Sequence, residues 1–210
     1  ARLDSVIVLE ELAAGCTSTA AFISIHNMAT WMIAQWGTQT TVEQWCPDLT
    51  QGQKLASYCL TDPGAGSDAG SLRSTAKKQG DHYLLNGSKM FISGAGDTDV
   101  LVVMARTGTQ EAGASGISAF AVPAGLDGIH YGKNEEKMGW NSQPTRAISF
   151  ENVVVKEENL LGKEGEGFKI AMRGLDGGRI NIGLHQSQSG LYAGTPAIWQ
   201  AVGGFSSIAI

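Results

Sequence analysis

The chain has 210 residues, 42% of them apolar, and carries 15 Lys and Arg against 20 Asp and Glu for a net charge of -5. That is enough apolar material for the core of one large or two small domains; the acidic balance without a basic block argues against a nucleic-acid partner, and no uninterrupted apolar run of membrane-spanning length is read. Cys16, Cys46 and Cys59 are odd in number and lack C-x-x-C spacing, which points to reduced thiols and away from a zinc site or a disulfide framework.

From Arg2 to Leu12 the apolar residues Leu3, Val6, Ile7, Leu9 and Leu12 recur at helical spacing, and Gly15 is a natural stop. Thr19 to Trp36 reads as a second helix, apolar nearly all round and therefore buried, ended by Gly37. His26 on it reads as a core histidine satisfied by hydrogen bonds. Thr40 and Glu43 have capping-box spacing, which predicts a short helix from Thr41 to Cys46 stopped by Pro47.

Past Gly52 the pattern changes to short β-rich runs: Leu55–Leu60, Ser74–Lys78, His82–Leu85, Met90–Ile92, Val100–Arg106, Ile117–Val122, Ala147–Phe150 and Val153–Val155. Asn86-Gly87 between two of them signals a hairpin turn, and Gly108 to Gly116 reads as a mobile polar surface loop. An antiparallel barrel or sandwich is expected. Helical spacing resumes near Gly167 with Phe168, Ile170, Ala171, Met172 and Leu175. The fold class is α+β.

Between the first two β-rich runs, Tyr58 to Ser71 breaks from an apolar run into a loop of small residues. Gly64 and Gly66, lacking a Cβ, can take positive φ and let backbone N–H groups approach a ligand, and Thr61 and Ser67 add hydroxyls.

Leu60-Thr61-Asp62-Pro63-Gly64-Ala65-Gly66-Ser67-Asp68 resembles the flavin signature of the acyl-CoA dehydrogenases, with Asp62 where the family usually has Glu. Two more blocks follow in family order. Asn86 to Ser93 resembles the second flavin segment, and Gly162 to Phe168 followed by Leu175 to Arg179 resembles the entry into the C-terminal helices. Gly139 to Arg146 and Gly177 to Ile182 are most similar to family members acting on isobutyryl-CoA.

The resemblance covers roughly Arg2 to Ile182, and what it implies is specific. The domains would be a partial helical N-terminal domain over 1–54, a β-barrel-like middle domain over 55–160, and the first helix of a C-terminal bundle over 161–182. FAD would be the cofactor, bound by Tyr58, Cys59, Leu60, Thr61, Asp62, Pro63, Gly64, Ala65, Gly66 and Ser67 and by Phe91, Ile92 and Ser93. Phe91 and Ser93 stand where the family most often has Trp and Thr. Ser67, Asp176, Gly177, Gly178 and Arg179 would meet the acyl-CoA substrate. The resemblance further implies an electron-transferring flavoprotein as acceptor, a homotetramer in full-length form and a place in the mitochondrial matrix.

The family's usual catalytic glutamate lies far downstream in the C-terminal domain, so no catalytic residue is assigned, and the chain is expected to be an incomplete, inactive form of the enzyme or a catalytically dead flavin-binding or interaction fragment. Past Ile182 the resemblance stops. Residues 183–210 are expected to be a frameshifted or aberrantly spliced tail, because permitted codons for 194–210 can be chosen so that the frame one base later spells a family-like helix.

Overall fold

The computed structural model describes residues 2–178; Arg179 and the segment 183–210 lie outside the described residues. The first helix, α1 (Arg2–Trp36), joins the two expected helices into one element bent at Cys16, whose φ of -157° and ψ of 101° are not helical. The break at Gly15 was therefore a bend rather than an end. Joined across it, residues 7–36 are long and apolar enough to cross a membrane by length and composition, contrary to the reading that broke the stretch in two. A core helix meets the same description, and Ala29, Met32 and Ile33 are fully buried in the core here.

Helix α2 (Gln39–Thr50) starts two residues earlier than the capping box suggested, because Thr38 and not Thr40 is its N-cap: Thr38 Oγ1 accepts from the Thr41 N–H at 3.2 Å. Pro47 lies inside it instead of ending it. Proline removes one helical N–H, but Trp45 and Leu49, one turn apart and both buried, continue the packed face through it.

Eight strands follow: β1 (Ala56–Cys59), β2 (Thr75–Gln79), β3 (His82–Ser93), β4 (Val100–Arg106), β5 (Ile117–Pro123), β6 (Ile129–Asn134), β7 (Thr145–Lys156) and β8 (Leu160–Leu161). They form one sheet in the order β6-β7-β3-β2-β4-β5-β8, with β1 parallel to β4. Its halves meet at the single parallel register Thr75↔Arg106, and there the sheet turns over on itself. Tyr83 and Leu85 of β3 and Phe150 of β7 share a core with Leu101 and Val103 of β4 and Phe120 of β5, and the Tyr83 and Phe120 rings meet edge-on at 4.9 Å. Val100, Val102 and Met104 point the other way, into a second core with Met32, Ile33, Trp45 and Leu49 of the helices. Both faces of β4 are thus covered, and its continuous apolar run follows from that.

The Asn86-Gly87 hairpin is not formed. β3 runs straight through the pair, and the β2–β3 turn lies at Gly80 instead, where φ is +62° and Gln79 pairs with His82. Asn86-Gly87 occupies a register shift against β7, where Gly87 has φ +133° and a Cβ would lie 2.7 Å from the Ser74 Cα. Asn152, at φ +52°, stands across from it inside β7, which likewise joins two expected strands; its N–H donates to Asn86 Oδ1 at 2.9 Å. The segment 108–116, expected to be a mobile loop, forms a short 3-10 turn over Gln110–Gly116. The buried Arg106 guanidinium pins it by donating to the carbonyls of Thr109 and Gly113, at 3.1 and 2.8 Å. The last described element, α3 (residues 167–178), packs on α1, with Ile170 and Ala171 in the helix-side core.

Candidate functional site: a glycine lip clamped to an exposed aromatic

β1 delivers the chain into a tight turn in which the Asp62 N–H donates to Ala65 O at 3.3 Å and the Ala65 N–H to Asp62 O at 3.1 Å. Asp62 and Ala65 face inward, while Pro63, Gly64, Gly66 and Ser67 form an exposed lip. Contrary to the expectation from sequence, neither Gly64 nor Gly66 has positive φ; a Cβ on either would meet nothing within 4 Å. The turn is closed by Asp62 rather than by glycine conformations, and what the glycines leave is open space above the backbone.

The Asp62 carboxylate is fully engaged. Oδ2 accepts from the N–H groups of Arg73 and Ser74 at 2.6 and 2.7 Å, and Oδ1 accepts from Ser74 Oγ at 2.9 Å and from Lys89 Nζ at 2.6 Å. Lys89 is 0% exposed and also donates to Leu60 O at 2.9 Å. Burial by itself would raise the Asp62 pKa, but the Lys89 charge and hydrogen bond with the Ser74 and Arg73 amides outweigh it and hold the carboxyl below its ordinary value. Burial pulls Lys89 down, against the opposing pull of Asp62.

One residue on, the Met90 N–H donates to Thr61 O at 2.9 Å. Phe91 follows at φ +56° with 61% of its surface exposed. An exposed phenylalanine in the left-handed region is an uncommon combination and marks a strained position of the kind that gathers at binding sites. Ile92 turns back into the core, and the Ser93 carbonyl accepts from Ser57 Oγ at 2.7 Å. The segments 58–67 and 91–93, singled out separately in the sequence, are therefore joined in one construction. Beside it, Gly94 N–H donates to Pro144 O at 2.8 Å, and Lys137 Nζ gathers its loop by donating to Trp140 O, Gln143 O and Thr145 Oγ1 at 2.7, 2.9 and 2.9 Å.

Other candidates are placed elsewhere. Asp176, Gly177 and Gly178 form the last described turn of α3, where Gly178 faces Met28 of α1. The Tyr58 hydroxyl is buried with no hydrogen-bond partner among the described residues, and burial raises its pKa. Burial pushes the Cys59 thiol up to about 12, which suits packing and not nucleophilic chemistry. His26 is held at both ring nitrogens, accepting from the Ala56 N–H and donating to Leu49 O. Lys89 and Ser74 were missed in the sequence, since a lysine in a strand ordinarily reads as an exposed position; the clue was an acid, Asp62, inside an otherwise small and apolar turn.

Comparison with known proteins gives the class: the chain belongs to the acyl-CoA dehydrogenase family, with residues 1–53 matching the acyl-CoA dehydrogenase N-terminal domain and residues 57–153 the acyl-CoA dehydrogenase middle domain. Within it, the chain is 55% identical over 181 residues to the mitochondrial isobutyryl-CoA dehydrogenase of Bos taurus, covering 86% of this chain and 43% of that protein. It is 56% identical over 182 residues to the mitochondrial isobutyryl-CoA dehydrogenase of Dictyostelium discoideum, covering 87% of this chain and 44% of that one. The fold superposes on butyryl-CoA dehydrogenase from Megasphaera elsdenii with a TM-score of 0.82 at 41% identity, covering 86% of this chain and 47% of the other. The chain thus spans less than half the length of these relatives.

Proposed function

We propose that the protein is an FAD-dependent dehydrogenase of a short branched acyl-CoA thioester, converting isobutyryl-CoA to methacrylyl-CoA in valine breakdown. The observation that carries this reading is Phe91, solvent-exposed at positive φ on a segment tied through Lys89 and Met90 to Leu60, Thr61 and Asp62 at the start of the loop that carries the open Gly64–Ser67 lip. The lip fits the group, because its glycines leave room above a backbone whose own turn does not need them. On this reading Tyr58 to Ser67 would hold the flavin, the Leu60 backbone and the Thr61 hydroxyl bonding the ring edge and Gly66 and Ser67 serving the pyrophosphate. Phe91 and Ser93 would flank the ring, with Ile92 between them anchoring the segment in the sheet core. Ser67, with Asp176, Gly177, Gly178 and Arg179, serves the acyl-CoA.

Bound flavin supplies the hydride acceptor for α,β-dehydrogenation. The chain's own residues bind and orient. Phe91 would pack against the ring and exclude water there, and the Thr61 and Ser67 hydroxyls would set direction. Asp62 is not the base that removes the α-proton, since all four of its contacts are donors and none is free to turn outward. No catalytic residue is assigned among the described residues. An electron-transferring flavoprotein as acceptor, a homotetrameric assembly and a mitochondrial matrix location belong to the same proposal; the names of the bovine and Dictyostelium relatives support the last.

Turnover of the complete gene product on isobutyryl-, 2-methylbutyryl- and butyryl-CoA, side by side with an artificial acceptor, tests the reading. Isobutyryl-CoA should give the highest kcat/KM. Preference for either of the others would make the enzyme a 2-methyl-branched or straight short-chain dehydrogenase, and oxidation of none would reject the activity.

A further inference from the structure

We propose that Lys89 and Asp62 are positioning residues for the flavin, acting by holding Phe91 in its left-handed conformation. The inference rests on the flavin reading above. A phenylalanine at φ +56° is strained, and with 61% of its surface exposed its own packing offsets little of that. Its neighbours must therefore impose the conformation. Lys89 pairs with Ile148 and Ile92 with Arg146, so Met90 and Phe91 on β3 stand against Ala147 alone on β7. This is the two-against-one count of a β-bulge, the device by which a strand re-aims a side chain.

Each end of the bulge is tied down. On one side Lys89 Nζ reaches Leu60 O and Asp62 Oδ1 at 2.9 and 2.6 Å, and the Met90 N–H reaches Thr61 O at 2.9 Å. On the other, Ile92 is sunk in the sheet core. The same ammonium thus fixes the backbone of the lip and the start of the bulge, which sets the spacing between lip and ring. A buried ion pair is a poor device for stability alone, because apolar residues of similar volume do as well or better. Its value here lies in fixing one arrangement of two segments.

The test is a double-mutant cycle on FAD binding to the apo form of the complete gene product, read by the visible spectrum and fluorescence of the flavin. Phe91→Ala and Lys89→Met should each weaken binding about tenfold, and the double variant should bind no more than about threefold more weakly than the poorer single, because both remove the same contact. Lys89→Met should also shift the bound flavin spectrum in the direction that Phe91→Ala does, which a merely structural role would not produce. Should Lys89→Met fail to fold, Asp62→Asn carries the same cycle, and Asp62→Glu, which keeps the charge, should restore binding. Multiplied losses of about a hundredfold in the double variant would overturn the inference, as would Lys89→Met binding like wild type. Wild-type protein that takes up no FAD would instead overturn the flavin reading beneath it.

Discussion

The His26 imidazole accepts the Ala56 N–H at Nδ1 and donates from Nε2 to the Leu49 carbonyl, each at 3.1 Å, so one side chain ties α1 to β1 and to the end of α2. Only the neutral ring can do both. Burial lowers its pKa below 6.5, against a smaller raising effect of the Leu49 carbonyl. A depressed histidine contributes stability that is full above the unfolded value and is lost as pH falls through the folded one. Urea midpoints should therefore decline as pH drops below 6.5. His26→Leu should be about 1–3 kcal/mol less stable at pH 7.5, since it strands a buried N–H, and should lack this part of the decline. An equal decline in both proteins would refute the assignment.

Asp62 adds a second, more acidic step. Its carboxyl is held below 3.8, so its contribution is full above that value and disappears as pH falls through the depressed one. Acid unfolding followed by circular dichroism should show Asp62→Asn with a flatter limb below pH 3.8, while the limb attributed to His26 is unchanged. A wild-type-like acid limb in the variant would contradict the network.

Glycines at the site should separate by role. Gly87→Ala places a Cβ 2.7 Å from the Ser74 Cα at φ +133° and should cost more than about 2 kcal/mol in chemical denaturation. Gly66→Val should change stability by no more than about 0.5 kcal/mol but weaken FAD binding by occupying the open lip. Equal stability losses at the two positions would show that the lip is packed rather than open.

Lys137→Met removes the donor shared by Trp140 O, Gln143 O and Thr145 Oγ1. Amide exchange over residues 138–145 should accelerate, with stability falling by about 1–2 kcal/mol. Unchanged exchange in that loop would mean that its neighbours hold it without the ammonium.

The fold was legible where one signal dominated. The apolar runs of β4 and β5, the helical spacing before Trp36 and the small-residue loop at 60–68 all led to the right element. Sequence misled where local chemistry was overridden by partners distant along the chain. Asn86-Gly87 is a turn pair in isolation, but Asn152 across the ladder supplies its hydrogen bonds and turns it into a bulge. Pro47 reads as a stop, yet Trp45 and Leu49 carry the helix past it. Strand β6 was missed because Ile129–Asn134 is largely exposed and gives only a short, weak alternation. For the candidate site, the two segments 58–67 and 91–93 are singled out separately in the sequence, whereas the buried charge that joins them in the structure depends on a pairing 27 residues apart that no local pattern encodes.

The most direct test of the account is reconstitution of the complete gene product with FAD, followed by its visible spectrum before and after isobutyryl-CoA is added. A stoichiometric flavin band that bleaches on addition of the thioester is expected, and its loss in Phe91→Ala combined with Gly66→Val while that variant stays folded by circular dichroism. Absence of a bound flavin band in the folded wild-type protein at excess FAD, or a band unaffected in the double variant, would contradict it.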